Sequence, residues 1–349
     1  MNEKILSDII LKNGYSLFRL KQAKKNIFSR LIESWDEATD LPEDLRALLS
    51  REVPVESIAP RRLLESANKD TMKALFATAD GLFIESVLMR HDRDRRTVCV
   101  SSQAGCLMNC SFCATGKSGF KRNLTAEEIV DQALFFARLL NKKQERVTNV
   151  VYMGMGEPMN NYDNVMASVR LLNDQNGMNL GARHISISTC GIVPGIKKFA
   201  KEELQVNLAI SLHAADDKTR SRLMPVNAAY PIAKLMKAVE EYAAATKRKV
   251  MFEYILISGV NDSDEHARSL AALIGKNKLY HVNLIKYHEM PAKDKTAPVF
   301  RAPTRERGDR FFDILKKSGV SCTFRVSFGE DIAGACGQLA PAPAFSANY

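Results

Sequence analysis

No stretch of this 349-residue chain approaches the ~20 apolar residues that a helix needs to cross a bilayer. Its start, Met1-Asn-Glu-Lys-Ile-Leu-Ser-Asp8, is charged and lacks the apolar core of a signal peptide. No internal repeat and no low-complexity tract is visible. The expectation is a soluble, cytoplasmic protein with no membrane partner. In a reducing compartment seven cysteines do not make a disulfide framework, so metal binding or catalysis is the better use for them. Hydrophobic residues, 46% of the chain, suffice for one large domain and a small one.

A fourth cysteine is missing where one would be expected. Cys106-Leu-Met-Asn-Cys110-Ser-Phe-Cys113 packs three cysteines into eight residues with the spacing C-x3-C-x2-C, and the next cysteine is Cys190. Structural zinc takes four closed ligands, and the nearest downstream histidine is His184. An ordinary 4Fe–4S cluster takes four thiolates. Three would leave one iron open to a substrate or cofactor. A zinc knot in an RNA-binding module without catalysis is the competing reading.

Charge is unbalanced in one direction. Lysine and arginine number 50 against 40 acids, a net charge of +10, which favours a polyanionic partner and nucleic acid above all. The bases cluster as Lys21, Lys24, Lys25 and Arg30, then Arg61 and Arg62, then Arg90, Arg93, Arg95 and Arg96, then Lys117, Lys121 and Arg122.

The periodicity divides the chain. Residues 1–70 read as a small helical accessory domain, with apolar positions at helical spacing through Leu17-Phe18-Leu20 and Ile27-Phe28-Leu31-Ile32. Residues 71–95 read as a β-hairpin around Asp80-Gly81. From 96 to 340 strands alternate with helices. The expected strands are Thr97–Ser101, Asn149–Met153, His184–Thr189, Val206–His213, Val250–Ile257 and His281–Tyr287, with a late one in Cys322–Phe328. Thr125-Ala-Glu-Glu128 reads as a capping box before the helix Ile129–Leu140. Six such units imply an α/β fold with a parallel sheet, a partial barrel. The tail 341–349 reads as loose. Ligands of such folds sit at the carboxyl ends of the strands. There the cysteine loop, Gly154–Pro158, Ser188–Gly191, Ser211–His213 and Tyr287-His288 gather.

Several runs together resemble the RlmN/Cfr family of radical S-adenosylmethionine (SAM) RNA methyltransferases. They are Cys99-Val-Ser-Ser-Gln-Ala-Gly-Cys106, Phe112-Cys113-Ala-Thr-Gly116, Gly119-Phe-Lys-Arg-Asn-Leu124, Met153-Gly-Met-Gly-Glu-Pro158 and Ala335-Cys336-Gly-Gln-Leu339. The resemblance runs from about Glu85 to Leu339. It implies a partial (β/α)6 TIM-like barrel of the radical SAM type. It implies that Cys106, Cys110 and Cys113 hold the 4Fe–4S cluster, and that Gly156, Glu157, Ser188, Ser211, Leu212 and His213 hold SAM. Cys336 resembles the family's methyl-carrying cysteine, Cys99 the partner that forms a transient disulfide with it, and Glu85 the proton acceptor. Glu85 stands one residue farther from Cys99 than the family register. His288 stands where many members have the Asn of a Tyr/Trp-Asn-Pro run; here the run is Tyr287-His-Glu-Met-Pro291. Arg325-Val-Ser-Phe-Gly-Glu-Asp-Ile332 departs from the commoner Arg-Gly-Asp-Asp version and leans toward Cfr.

The implied chemistry is methylation of adenine C2 in 23S ribosomal RNA at the peptidyl-transferase centre, with a transfer-RNA adenosine next to the anticodon as a second substrate. The alternative is Cfr-type methylation at C8, which gives antibiotic resistance. An electron-poor ring carbon does not attack a methylsulfonium, so a radical route is needed; the resemblance implies two SAM molecules and a methyl-cysteine intermediate. An electron donor such as flavodoxin or ferredoxin would serve it. A monomer is expected. Gly334-Ala-Cys-Gly337 suits a mobile loop. Cys190 and Cys322 read as core residues.

Overall fold

A computed structural model describes residues 3–289 and 300–340. Met290 and Pro291 of the departing run, and the tail 341–349, lie outside the described residues. The strands are β1 (Ile58–Glu65), β2 (Thr71–Thr78), β3 (Phe83–Arg90), β4 (Arg96–Cys99), β5 (Gln103–Gly105), β6 (Phe120–Asn123), β7 (Asn149–Tyr152), β8 (Ile185–Thr189), β9 (Asn207–Ser211), β10 (Val250–Leu256), β11 (Tyr280–Lys286) and β12 (Cys322–Phe324).

Ten strands form one sheet in the order β1-β2-β3-β4-β7-β8-β9-β10-β11-β12. From β4 to β12 every pairing is parallel. Helices lie between consecutive parallel strands, among them Ala126–Asn141, Tyr162–Asn173, Ile232–Thr246, Asp264–Ile274 and Arg305–Lys317. This is the α/β partial barrel expected, with β12 as the late strand. The hairpin β2–β3 is not set apart: it joins the barrel sheet through the antiparallel pair β3–β4. One expectation is corrected. Residues 58–65, assigned to the helical block, are strand β1, which extends the hairpin to three strands. The pairing register slips between Pro60 and Arg62, as an edge strand with a proline requires.

The pleat explains both the core and the empty space inside the barrel. In β8 the isoleucines Ile185 and Ile187 are buried toward the helices, while Ser186 and Ser188 alternate to the other face. In β10 Val250, Phe252 and Tyr254 are fully buried, and Met251 and Glu253 alternate with them and line a cavity. Small and polar inward positions leave that cavity open; its volume is ≈ 550 Å³.

The capping box forms as read: Thr125 Oγ1 accepts from Glu128 N at 3.2 Å, and Glu128 Oε2 accepts from Thr125 N at 2.9 Å. The front helices are Glu3–Lys12, Leu17–Phe28 and Glu43–Glu52, and the segments that follow them are tied to the helix that this box starts. Asp131 Oδ2 accepts from Ser57 N and Oγ, both at 2.6 Å, and Arg138 donates to Ile32 O at 3.0 Å and pairs with Glu56. No helix among the described residues is long and apolar enough to cross a membrane.

Phe252 packs edge-to-face on Tyr280 with centroids 5.1 Å apart and is fully buried. Phe252→Ala is expected to lower the unfolding free energy by about 3–5 kcal/mol, measured by urea titration of the anaerobic protein. A loss under ~1 kcal/mol would mean that this layer is not packed as described.

Candidate active site

The cysteine loop is closed at its base by backbone geometry. β5 and β6 pair with each other, and Cys106 N donates to Gly119 O at 3.1 Å. Gly105, at φ +81°, lies so close that a Cβ would sit 1.8 Å from Gly119 O; only glycine closes this ring. Cys113 N donates to Cys110 O at 3.1 Å, and Ser111 N and Oγ donate to Leu223 O at 2.9 and 3.3 Å. Cys106, Cys110 and Cys113 are all free and half-buried.

Burial, with the neighbouring cysteines adding, pushes the Cys106 thiol up to about 11 and Cys110 higher still. Thiolates this close need a cationic centre to stand ionised. Among the described residues no three His, Cys, Asp or Glu side chains converge on a single ion.

The neighbouring strand ends are held by side chains that the sequence offered as ligands. The Glu157 carboxylate accepts from Met159 N at 2.9 Å and Cys190 N at 2.7 Å, and burial raises its pKa. It therefore ties the β7 loop to the end of β8, and the loop presents backbone to the site. Gly156 sits at φ +102°, where a Cβ would lie 2.6 Å from Gln103 Cβ, and Gln103 Oε1 accepts from Glu157 N at 2.8 Å. Ser188 and Ser211 face each other with hydroxyls 3.4 Å apart. Leu212 is fully buried, and its N–H donates to Glu253 O at 3.0 Å.

His213, at φ +58°, accepts from Ile255 N through Nδ1 at 3.1 Å, which leaves the proton on Nε2. Its ring meets Phe112 of the cysteine loop edge-to-face at 4.9 Å. Burial, with Arg220 adding, pushes its pKa down to about 3. The imidazole is neutral, suited to packing and bonding.

One cavity gathers the other candidates. Cys99, Cys113, Cys336, His288, Glu253 and Arg325 all line it. Cys336 is exposed, and what it is exposed to is this cavity. Cys99 is buried, and its thiol is pushed up to about 12, by burial first and by Cys336 next. No disulfide joins them; all seven cysteines are free.

The glycine-rich stretch around Cys336, expected to be mobile, is anchored beside the cysteine loop. Ala114 N donates to Gly337 O at 2.7 Å and Thr115 Oγ1 to Leu339 O at 2.5 Å. Glu85 is buried. Its carboxylate pairs with Lys73 Nζ at 3.1 Å and accepts from Ala340 N at 2.9 Å. Val87, on the same face of β3, lines the cavity and pairs in register with Cys99. His288 is buried with Nε2 3.2 Å from Ser327 Oγ and Nδ1 3.3 Å from Glu330 Oε1, so it fastens the segment after β12.

Sequence reading missed Glu253 and Arg325. Glu253 is buried, accepts from Asn283 Nδ2 at 2.9 Å and pairs with Arg325 Nη1 at 3.2 Å. Its inward position in an otherwise apolar strand, Val-Met-Phe-Glu-Tyr-Ile-Leu, was the available signal. Phe328 meets His91 edge-to-face at 4.5 Å.

The Radical SAM superfamily pattern matches residues 100–271. A crystal structure of a radical SAM methyltransferase from Sphaerobacter thermophilus superposes with a TM-score of 0.92 at 45% identity, covering 97% of each chain. The fold and the three-cysteine loop thus define a radical SAM enzyme. The chain is also 45% identical over 335 residues to proteins of Staphylococcus aureus strains RF122 / ET3-1 and JH9, each named "Probable dual-specificity RNA methyltransferase RlmN". Those alignments cover 95% of this chain and 88% of the relatives. The chain belongs to the RlmN family of radical SAM RNA methyltransferases.

His213 binds a proton below about 6.5 when unfolded and only below about 3 in the fold. Its contribution to stability is complete above pH 6.5 and is lost as pH falls toward 3. His213→Asn, which tolerates the positive φ, is expected to reduce by about one proton the slope of unfolding free energy against pH between 6 and 4, read from urea titrations. An unchanged slope would show that His213 is already protonated in the fold.

Proposed function

We propose that this enzyme methylates C2 of an adenosine in 23S ribosomal RNA at the peptidyl-transferase centre, and the adenosine next to the anticodon of transfer RNA. The observation that carries the reading is the single cavity shared by Cys99, Cys336 and Cys113 of the cysteine loop. The high identity to proteins named as dual-specificity RNA methyltransferases supports it.

Cys106, Cys110 and Cys113 would hold a 4Fe–4S cluster. With SAM bound, that centre supplies one-electron cleavage of the sulfonium and hence hydrogen abstraction. The loop 154–157, Ser188, Ser211, Leu212, His213 and His288 frame the place for SAM, chiefly through backbone. Cys336, open to the cavity, is the methyl carrier. Cys99 releases the product by attacking the Cys336 sulfur: a transient disulfide forms as the bond from that sulfur to the methylene group on the base breaks, and the carbon keeps the electron pair and takes a proton to become the methyl group. The attack needs a thiolate, and burial disfavours one at Cys99; the Arg325 guanidinium, lining the same cavity, offsets part of that cost. Glu85 takes the ring proton; its carboxylate is held by Lys73 Nζ at 3.1 Å and by Ala340 N at 2.9 Å. The enzyme works in the cytoplasm as a monomer and receives electrons from a flavodoxin- or ferredoxin-type donor.

Nucleoside mass spectrometry of RNA from cells lacking and overproducing the protein tests the target. Loss of 2-methyladenosine on deletion is expected. A gain of 8-methyladenosine on overproduction would replace this reading by the C8 reaction, and no change in either nucleoside would reject both. Cys336→Ala should abolish methylation, a fall of more than 100-fold, while SAM cleavage persists. Cys99→Ala should leave RNA covalently bound to protein, seen as a shifted band after denaturing electrophoresis. Free, methylated RNA from the Cys99 variant would remove it from product release.

A further inference from the structure

Arg220 is fully buried, and its partners are neutral oxygens. Nε donates to Leu212 O at 3.1 Å, Nη1 to Asn227 Oδ1 at 2.9 Å and Tyr230 O at 3.4 Å, and Nη2 to Cys190 O at 2.6 Å and Ser211 O at 3.4 Å. Asp217 reaches it through Asn227, whose Nδ2 donates to Asp217 Oδ1 at 2.9 Å. Among the described residues no carboxylate pairs with it directly. A buried charge without a partner is costly, so the fold holds this cation for an anion that the chain does not itself provide.

Position tells which anion. Arg220 lies on the short helix Asp217–Leu223, and Leu223 O accepts both hydrogen bonds from Ser111, between Cys110 and Cys113. The guanidinium bonds the carbonyl of Cys190, and burial lowers its pKa while Cys190 and Cys110 raise it. The same fork binds the ends of β8 and β9, where Ser188 and Ser211 stand.

We propose that Arg220 is a positioning residue with two roles: it clamps the ends of β8 and β9 in register, and it supplies the fixed positive charge that offsets an anionic three-thiolate iron–sulfur centre. The proposal rests on the reading of the cysteine loop as a cluster site and is independent of which RNA is methylated. Reduction adds one negative charge to such a centre, so a fixed cation favours the reduced form.

The test uses full-length protein reconstituted anaerobically with iron and sulfide, as wild type, Arg220→Lys and Arg220→Gln. Iron content, SAM affinity and the midpoint potential are measured. For Arg220→Gln the redox equilibrium should shift about tenfold toward the oxidised form, which is ~59 mV more negative for one electron. Arg220→Lys keeps the charge and should keep the potential within a third of that shift. It should bind SAM about tenfold more weakly, because an ammonium cannot span the fork.

Wild-type iron content with an unshifted potential in Arg220→Gln overturns the proposal while leaving the cluster reading intact. Should Arg220→Gln fail to load iron, Arg220→Lys decides: iron at wild-type potential supports the charge role, and loss of iron in both variants overturns it. A wild type that takes up no iron removes the cluster reading and this proposal together.

Discussion

The hydrogen bond from Cys106 N to Gly119 O, with Gly105 pressed against the same carbonyl, is what makes a loop into a site. Without that closure three cysteines on a flexible segment would offer no fixed face. With it, the loop is pinned at one end by β5 and β6 and at the other by Ser111 on Leu223 O. The parallel sheet supplies the second constraint. Its strand ends converge on the loop because β4 and β7 to β12 all point the same way, so side chains far apart in sequence share one edge.

The C-terminal segment completes the cavity, and it is held by the antiparallel extension of the sheet. Ala67 N donates to Asp331 Oδ2 at 2.8 Å, Lys73 Nζ to Ala333 O at 3.2 Å, and Ala340 N to Glu85 Oε2 at 2.9 Å. The hairpin therefore does more than precede the barrel. It anchors the segment that carries Cys336 and brings Glu85 to the same neighbourhood. That coupling ties the β1–β2 turn, β2 and β3 to the segment that carries Cys336.

Local chemistry was legible in the sequence, and long-range pairing was not. The parallel strands declare themselves by apolar runs, and Asp80-Gly81 by its turn chemistry. β1 escaped because Ile-Ala-Pro-Arg-Arg-Leu-Leu-Glu carries a proline and two arginines; an edge strand tolerates both, and only the register slip at Pro60 shows how. β5 and β6 are too short for a periodic signal. Glu157 was read as a ligand, yet its carboxylate is taken by two backbone N–H groups that belong to different loops. Arg220, in Asp-Asp-Lys-Thr-Arg, reads as a surface residue until three separate carbonyl-bearing segments close around it.

Charge was the least transferable inference, for a physical reason. Net charge counts residues, whereas a partner meets only those that the fold leaves available. Lys24 is buried and paired with Glu3 at 3.1 Å and Asp174 at 2.6 Å. Arg96 pairs with Glu145 at 3.0 Å, and Arg122 is shared between Asp80 at 2.7 Å and Glu128 at 2.8 Å. These bases build the scaffold. Lys21, Lys25, Arg61, Arg93, Arg95, Lys117 and Lys121 are exposed. Of these, Arg95 lines the cavity, and Lys117 and Lys121 follow the cysteine loop. A phosphate backbone drawn to Arg95 would approach the cavity. Folded RNA is read through its unstacked bases, and Cys336 lines the same cavity as Arg95. The exposed Arg95 thus singles out the cavity, which the total of +10 alone could not do.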